Sequence, residues 1–175
     1  MKNSILILLA VLILAACEKK EAPRYTQNSP EIDILKSGIS HYNTKNWEAM
    51  AANFADTAKV YYNTKKSPIS FKEVPAYHGQ NDVNFSSRGF LDRDQDYEMV
   101  VTDKGETWVN FWGIWEGTLA ADNRKIEMPV HLTAQFKDGK IVEEHGYWDN
   151  GPLIMAIQEI EAAEKAKSAA PVKLK

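Results

Sequence analysis

The stretch Met128–Asp149, MPVHLTAQFKDGKIVEEHGYWD, decides how the rest of the chain is read. Asp138-Gly139 sits between two alternating runs. An Asp-Gly pair in that setting marks a tight hairpin, because the favoured turn needs positive φ at both central residues. A turn on those residues fixes the pairing: Lys137 faces Lys140, Phe136 faces Ile141, and so on down the ladder. Paired residues share a sheet face. One face then carries Met128, Val130, Leu132, Ala134 and Phe136 beside Ile141, Glu143, His145, Tyr147 and Asp149. The other carries Pro129, His131, Thr133 and Gln135 beside Val142, Glu144, Gly146 and Trp148. The first face is more apolar on one strand and is expected to look inward.

That register singles out candidate site residues. His145, Tyr147 and Asp149 would stand among Leu, Val and Met, where burial favours the neutral form of an acid or an imidazole. Groups moved toward neutrality suit acid/base work. Asp149 and His145 are therefore the candidate catalytic pair. Same-face neighbours on a strand lie about 6–7 Å apart, and these two are two such steps apart, so they would meet opposite ends of a ligand. Tyr147, Leu132, Val130 and Met128 are the candidate ligand-binding residues. Plainer readings stand beside these: Asp149 as the cap of a following helix, His145 as a satisfied core or rim histidine, Tyr147 as a core aromatic. His131 falls on the opposite face and by this register is not Asp149's partner, a conclusion that a β-bulge in either strand would reverse.

Upstream, Thr107–Leu119 (TWVNFWGIWEGTL) is a long aromatic strand. Trp108, Asn110 and Trp112 share one of its faces, and Val109, Phe111 and Trp115 the other. One set lines a pocket and the other suits a dimer interface; Trp112 is placed in the pocket. Tyr97–Thr102 is a further strand. Asn63–Arg93 reads as an irregular lid with a short helix near Asn81–Phe90. Ala58–Tyr62 is a first strand. Before it, Ser29-Pro30 opens a helix with Ile32, Leu35, Ile39 and Tyr42 on one stripe. A second short helix carries Trp47, Met50, Ala51 and Phe54 behind Asn46 as cap. After the hairpin, Asn150-Gly151-Pro152 starts a helix with Leu153, Ala156, Ile157 and Ile160 inward. Residues 162–175 read as a flexible tail.

The N-terminus reads as targeting. Lys2 precedes the apolar run Ile5–Ala16, which is shorter than the roughly 20 residues a spanning helix needs and matches a signal-peptide core. Leu14-Ala15-Ala16-Cys17 resembles the bacterial lipobox. That resemblance implies cleavage before Cys17, acylation of Cys17, and attachment to a bacterial membrane. The absence of Asp after the cysteine (Glu18 stands there) points to the outer membrane of the cell envelope rather than the inner. Residues 17–28 form the tether and 29–161 the folded domain.

Composition narrows the function. The chain has 175 residues, 44% of them hydrophobic, with a net charge of −3 and no basic stripe, so nucleic acid is not an expected partner. Cys17 is the only cysteine and the 4 histidines lack ligand spacing, so no metal site is expected. No G-x-S-x-G motif and no phosphate-cradling loop is present, and no cofactor is expected.

Two helices, a strand, a lid and an antiparallel meander make an α+β class. The order of elements, Trp47…Met50…Phe54-Ala55-Asp56, Pro129-Val130-His131, Asp138–Glu143 and Tyr147-Trp148-Asp149 together resemble the SnoaL-like, nuclear transport factor 2-like superfamily over about Glu31–Ile160. The resemblance implies a cone of N-terminal helices on a curved, mostly antiparallel sheet, an apolar pocket, and dimerisation through the outer sheet face. It also implies that Asp149, matching the Asp that closes the last strand in SnoaL-type cyclases, acts as general acid/base. The Gln-Leu-Gly common after that strand is replaced by Ile157-Gln158-Glu159. Three functions stay open: a lipid-anchored binder of a small apolar or amphipathic ligand, an isomerase or cyclase using Asp149, and an interaction module acting through the outer face.

Overall fold

The computed structural model describes residues 23–169; the expected leader and lipobox with Cys17, and residues 170–175, lie outside the described residues. In chain order the elements are strand β1 (Tyr25–Thr26), helices α1 (Pro30–Asn43) and α2 (Trp47–Ala51), strands β2 (Phe54–Tyr62) and β3 (Ile69–Ser70), a 3-10 turn (Phe71–Glu73), helix α3 (Val74–Asp82), strands β4 (Phe85–Phe90), β5 (Asp96–Val101), β6 (Thr107–Leu119), β7 (Lys125–Lys137) and β8 (Lys140–Trp148), and helix α4 (Gly151–Ala169).

Helix α1 starts where the sequence places it. The Ser29 hydroxyl accepts from the Ile32 N–H at 3.2 Å, and Pro30 occupies the first turn, where no donor is needed. Its stripe of Ile32, Leu35, Ile39 and Tyr42 is buried against the sheet. Each such apolar side chain contributes about 1.5–3 kcal/mol by leaving water. The strands form one 8-stranded sheet in the order β1-β5-β6-β7-β8-β2-β3. Strand β6 divides one edge between β5, along its first half, and β4, along its second. Every pairing is antiparallel except β2 beside β8. The helices cover the inner face. It carries Val109, Phe111, Trp115 and Leu119 from β6, and Met128, Val130, Leu132, Ala134 and Phe136 from β7.

Two glycines let the inner face curve closely around aromatic rings. A Cβ on Gly113 would come within 2.3 Å of the Phe111 ring. One on Gly146 would meet Trp148 at 2.6 Å and Tyr62 at 3.0 Å. Rings therefore lie flat across the strands at both positions.

The central hairpin corrects the expected register. Its turn is as expected: Asp138 and Gly139 have φ of 52° and 73°, and Lys137 faces Lys140. Phe136 faces Ile141. Then Gln135 faces Glu143, so Val142 is an extra residue, a β-bulge. Below it every partner moves by one position: Ala134 faces Glu144, Thr133 faces His145, Leu132 faces Gly146 and His131 faces Tyr147. The inner face of β8 is Ile141, Glu144, Gly146 and Trp148, and not Glu143, His145 and Tyr147.

Other boundaries differ too. Phe54 opens β2 instead of closing α2. The supposed lid is structured: the helix lies at Val74–Asp82, ahead of the expected place, and Phe85–Phe90 is a strand. Tyr25 and Thr26, expected in the tether, pair with Val100 and Met99. Helix α4 continues past Glu161 to Ala169, exposed along that extension.

Candidate functional site

The helices and the inner sheet face enclose a cavity of ≈ 100 Å³ open to the centres of water molecules, room for several waters or a small organic group. Its walls are mostly apolar: Leu35, Ile39, Met50, Phe54, Met128 and Leu132 among them. The polar groups gather at one end. Glu144 arrives from β8 on the inward side of the bulge and is 3% exposed. Its Oε1 receives only a long contact, 3.5 Å, from the Tyr62 hydroxyl. No cationic side chain lies within ion-pair reach of Glu144 among the described residues. Burial in this setting raises its carboxyl to about 7. Tyr62, held next to it by the parallel pairing of β2 with β8, is pushed well up by burial and then by the Glu144 charge.

Around this pair stand His78 and Tyr77 from α3 and Trp148 from the end of β8. Burial first, then the Arg88 charge, hold His78 down at about 4, so it is neutral at physiological pH. Trp148 is fixed at both ends. Its backbone N–H donates to Asn63 Oδ1 at 3.0 Å, and its indole N–H to Asn150 Oδ1 at 2.9 Å. Tyr42, on the same lining, accepts from the Trp115 indole at 2.9 Å. Arg88 lies over the Tyr42 ring at 4.1 Å, donates to the Tyr42 carbonyl at 2.6 Å, and pairs with Asp82 at 2.8 Å. Lys45 pairs with the same Asp82 at 2.8 Å.

No family model matches the chain, and no curated protein does. Solved structures do. IdmH from Streptomyces antibioticus, assigned as a polyketide cyclase, superposes with a TM-score of 0.58 at 16% identity, covering 75% of this chain and 99% of its own. A SnoaL-like protein from Shewanella denitrificans, also assigned as a polyketide cyclase, gives 0.57 at 13%, covering 75% and 99%. A protein with a ketosteroid isomerase-like fold from Catenulispora acidiphila, in complex with trimethylamine, gives 0.55 at 9%, covering 70% and 90%. The chain has the SnoaL-like, nuclear transport factor 2-like fold. Identities this low carry the fold and not the activity.

Within this SnoaL-like fold the expected site residues part company. Met128, Val130 and Leu132 line the cavity. Asp149 does not: it is exposed and its Oδ1 accepts from the Gly151 N–H at 2.7 Å, fixing the entry into α4. His145 and Tyr147 lie on the outer face. His145 stacks on Tyr61 at 4.6 Å, and its Nε2 meets Glu143 at 2.7 Å. Trp112 also faces outward, 41% exposed, in one row with His131 and Tyr147 across three strands. The outer face thus collects His145 and Tyr147, which the unbulged register sends inside, beside Trp112 and His131. Sequence reasoning missed Glu144, Tyr62 and His78. For Glu144 the available signal was Ile141 and Trp148, two large apolar residues seven apart, which strict alternation cannot turn to the same face. Among the described residues no cluster of three or more His, Cys, Asp or Glu could hold a metal, and no helix is long and apolar enough to cross a membrane.

Proposed function

We propose that this is a lipid-anchored envelope protein whose cone binds a small apolar or amphipathic molecule, and that two copies associate through the outer sheet face. The observation that carries the binding reading is the cavity, apolar along its walls and ending on a single unpaired carboxyl. Pockets of that make-up are the usual form of a small-molecule site. The lipobox at Leu14–Cys17 supports the anchor, and Glu18 after it supports the outer membrane. Native mass spectrometry of protein taken from its own envelope is expected to show a bound small molecule, lost in Leu132→Trp, which fills the cavity. Cys17→Ser is expected to move the protein from the membrane to the soluble fraction. An empty cavity, with no thermal shift across a panel of lipids and steroids, would overturn the binding reading.

A second reading rests on Glu144. A carboxyl near 7 is poised for general acid/base transfer, and the Tyr62 O–H beside it is placed to polarise a carbonyl. Glu144 then takes the role the sequence assigned to Asp149, in an isomerase or cyclase. Deuterium exchange next to a ketone, present in the native protein and absent in Glu144→Gln, is the expected signature. Exchange surviving in that variant removes the reading.

A further inference from the structure

We propose that the polar end of the cavity is a receptor for a quaternary or tertiary ammonium group, seated against the rings of Tyr62, Tyr77 and Trp148 and facing the Glu144 carboxylate. The inference rests on the cavity's being a ligand site and names the chemistry of that ligand. Tyr62 is the shared wall. Its ring centre lies 4.9 Å from Tyr77 with planes inclined 42°, and 5.3 Å from Trp148 with planes inclined 55°. Tyr62 is inclined to both neighbours and stacked on neither, and His78 adjoins the same ring at 5.3 Å. Ring faces are the negative side of an aromatic quadrupole, and a cluster of rings favours an alkylammonium group. All three rings line the cavity, as does Glu144.

Charge bookkeeping in the cavity selects a cation. The ionisable groups facing it are Tyr42, Tyr62, Tyr77, His78, Asp82 and Glu144, with Arg88 behind Tyr42. The tyrosines are held neutral by burial. His78 is neutral above about 4. Asp82 is matched by Arg88 and Lys45, and Arg88 already covers the Tyr42 ring. Glu144 alone has no opposite charge. A buried carboxylate without a partner is costly, and a bound cation removes that cost. A neutral ligand would leave the carboxyl holding its proton.

Choline and 3,3-dimethyl-1-butanol, its neutral isostere, separate these cases by titration calorimetry on the full chain in detergent. Choline is expected to bind at least tenfold tighter than the alcohol at pH 8. Its affinity should be about tenfold higher at pH 8 than at pH 6, because only the ionised fraction of Glu144 is competent and choline itself does not titrate. Glu144→Gln should bring choline down to the alcohol and remove the pH dependence. Tyr77→Leu, at a half-buried position, should weaken choline about tenfold and leave the alcohol within twofold. Equal binding of the two probes, or binding of the alcohol alone, overturns the ammonium proposal while the ligand site stands. Failure of both probes and of the lipid and steroid panel overturns both.

Discussion

Glu144 and His78 face one cavity and pull the pH dependence of stability in opposite directions. Free, the Glu144 carboxyl titrates at 4.5; folded, at about 7. Its neutral form is the one the fold accepts, so its contribution is full below pH 4.5 and is lost as pH rises through about 7. The loss amounts to about 3 kcal/mol. His78 runs the other way, from 6.5 free to about 4 folded. Its contribution is full above pH 6.5 and is lost as pH falls through about 4. Between pH 4.5 and 6.5 the two slopes offset each other. Denaturant titrations should therefore find that Glu144→Gln gains about 2–3 kcal/mol on the parent protein between pH 5 and pH 8. Parallel stability curves for the two proteins would show that Glu144 is not buried as described.

At the scale of elements, Arg88 on β4 is the joint. Its side chain is 2% exposed and ties the carbonyl end of α1, at Tyr42, to Asp82 in the last turn of α3. Asn43 locks the same edge by accepting from the Phe90 N–H at 2.8 Å and donating to its carbonyl at 3.0 Å. Arg88→Ala leaves Asp82 with only the exposed Lys45, and it should cost about 3–5 kcal/mol in chemical denaturation. Arg88→Lys should recover less than half, since an ammonium cannot reproduce the planar fork. A cost below about 1 kcal/mol would mean that β4 is held elsewhere. The tie from Arg88 to Tyr42 was not legible in the sequence, because it joins residues 46 apart. The helix α1, its cap, the hairpin turn and the long β6 were legible, because each depends on neighbours a few residues away. In the stretch 63–93 one local signal went unread: Ser70-Phe71-Lys72-Glu73 is a capping box, with Glu73 Oε2 accepting from both the N–H and the hydroxyl of Ser70. Strand β4 had no such signal; pairing with β6 makes Phe85–Phe90 a strand.

For the whole molecule, the outer face poses the question of what covers it. Trp112, His131 and Tyr147 form a row across β6, β7 and β8, with Trp112 and Tyr147 at 41% and 37% exposure. Tyr61 and Trp108 flank His145 beside it. An apolar row of that size on a sheet suits a second copy of itself. Sedimentation equilibrium should give a dimer for the parent protein and a monomer for Trp112→Glu, with the helical circular dichroism unchanged. A monomeric parent at micromolar concentration would assign the row another partner. Fold legibility and site legibility separated at one residue, Val142. The resemblance that names the fold tolerates a slip of one position, whereas the list of inward side chains does not. The consequence reaches any attempt to transfer residue roles between this chain and its structural relatives. An alignment that runs without a gap from the Asp138-Gly139 turn to the end of β8 matches Asp149 to an inward position and leaves Glu144 on the outside. A gap placed at Val142 pairs the same letters with the opposite wall of the cone.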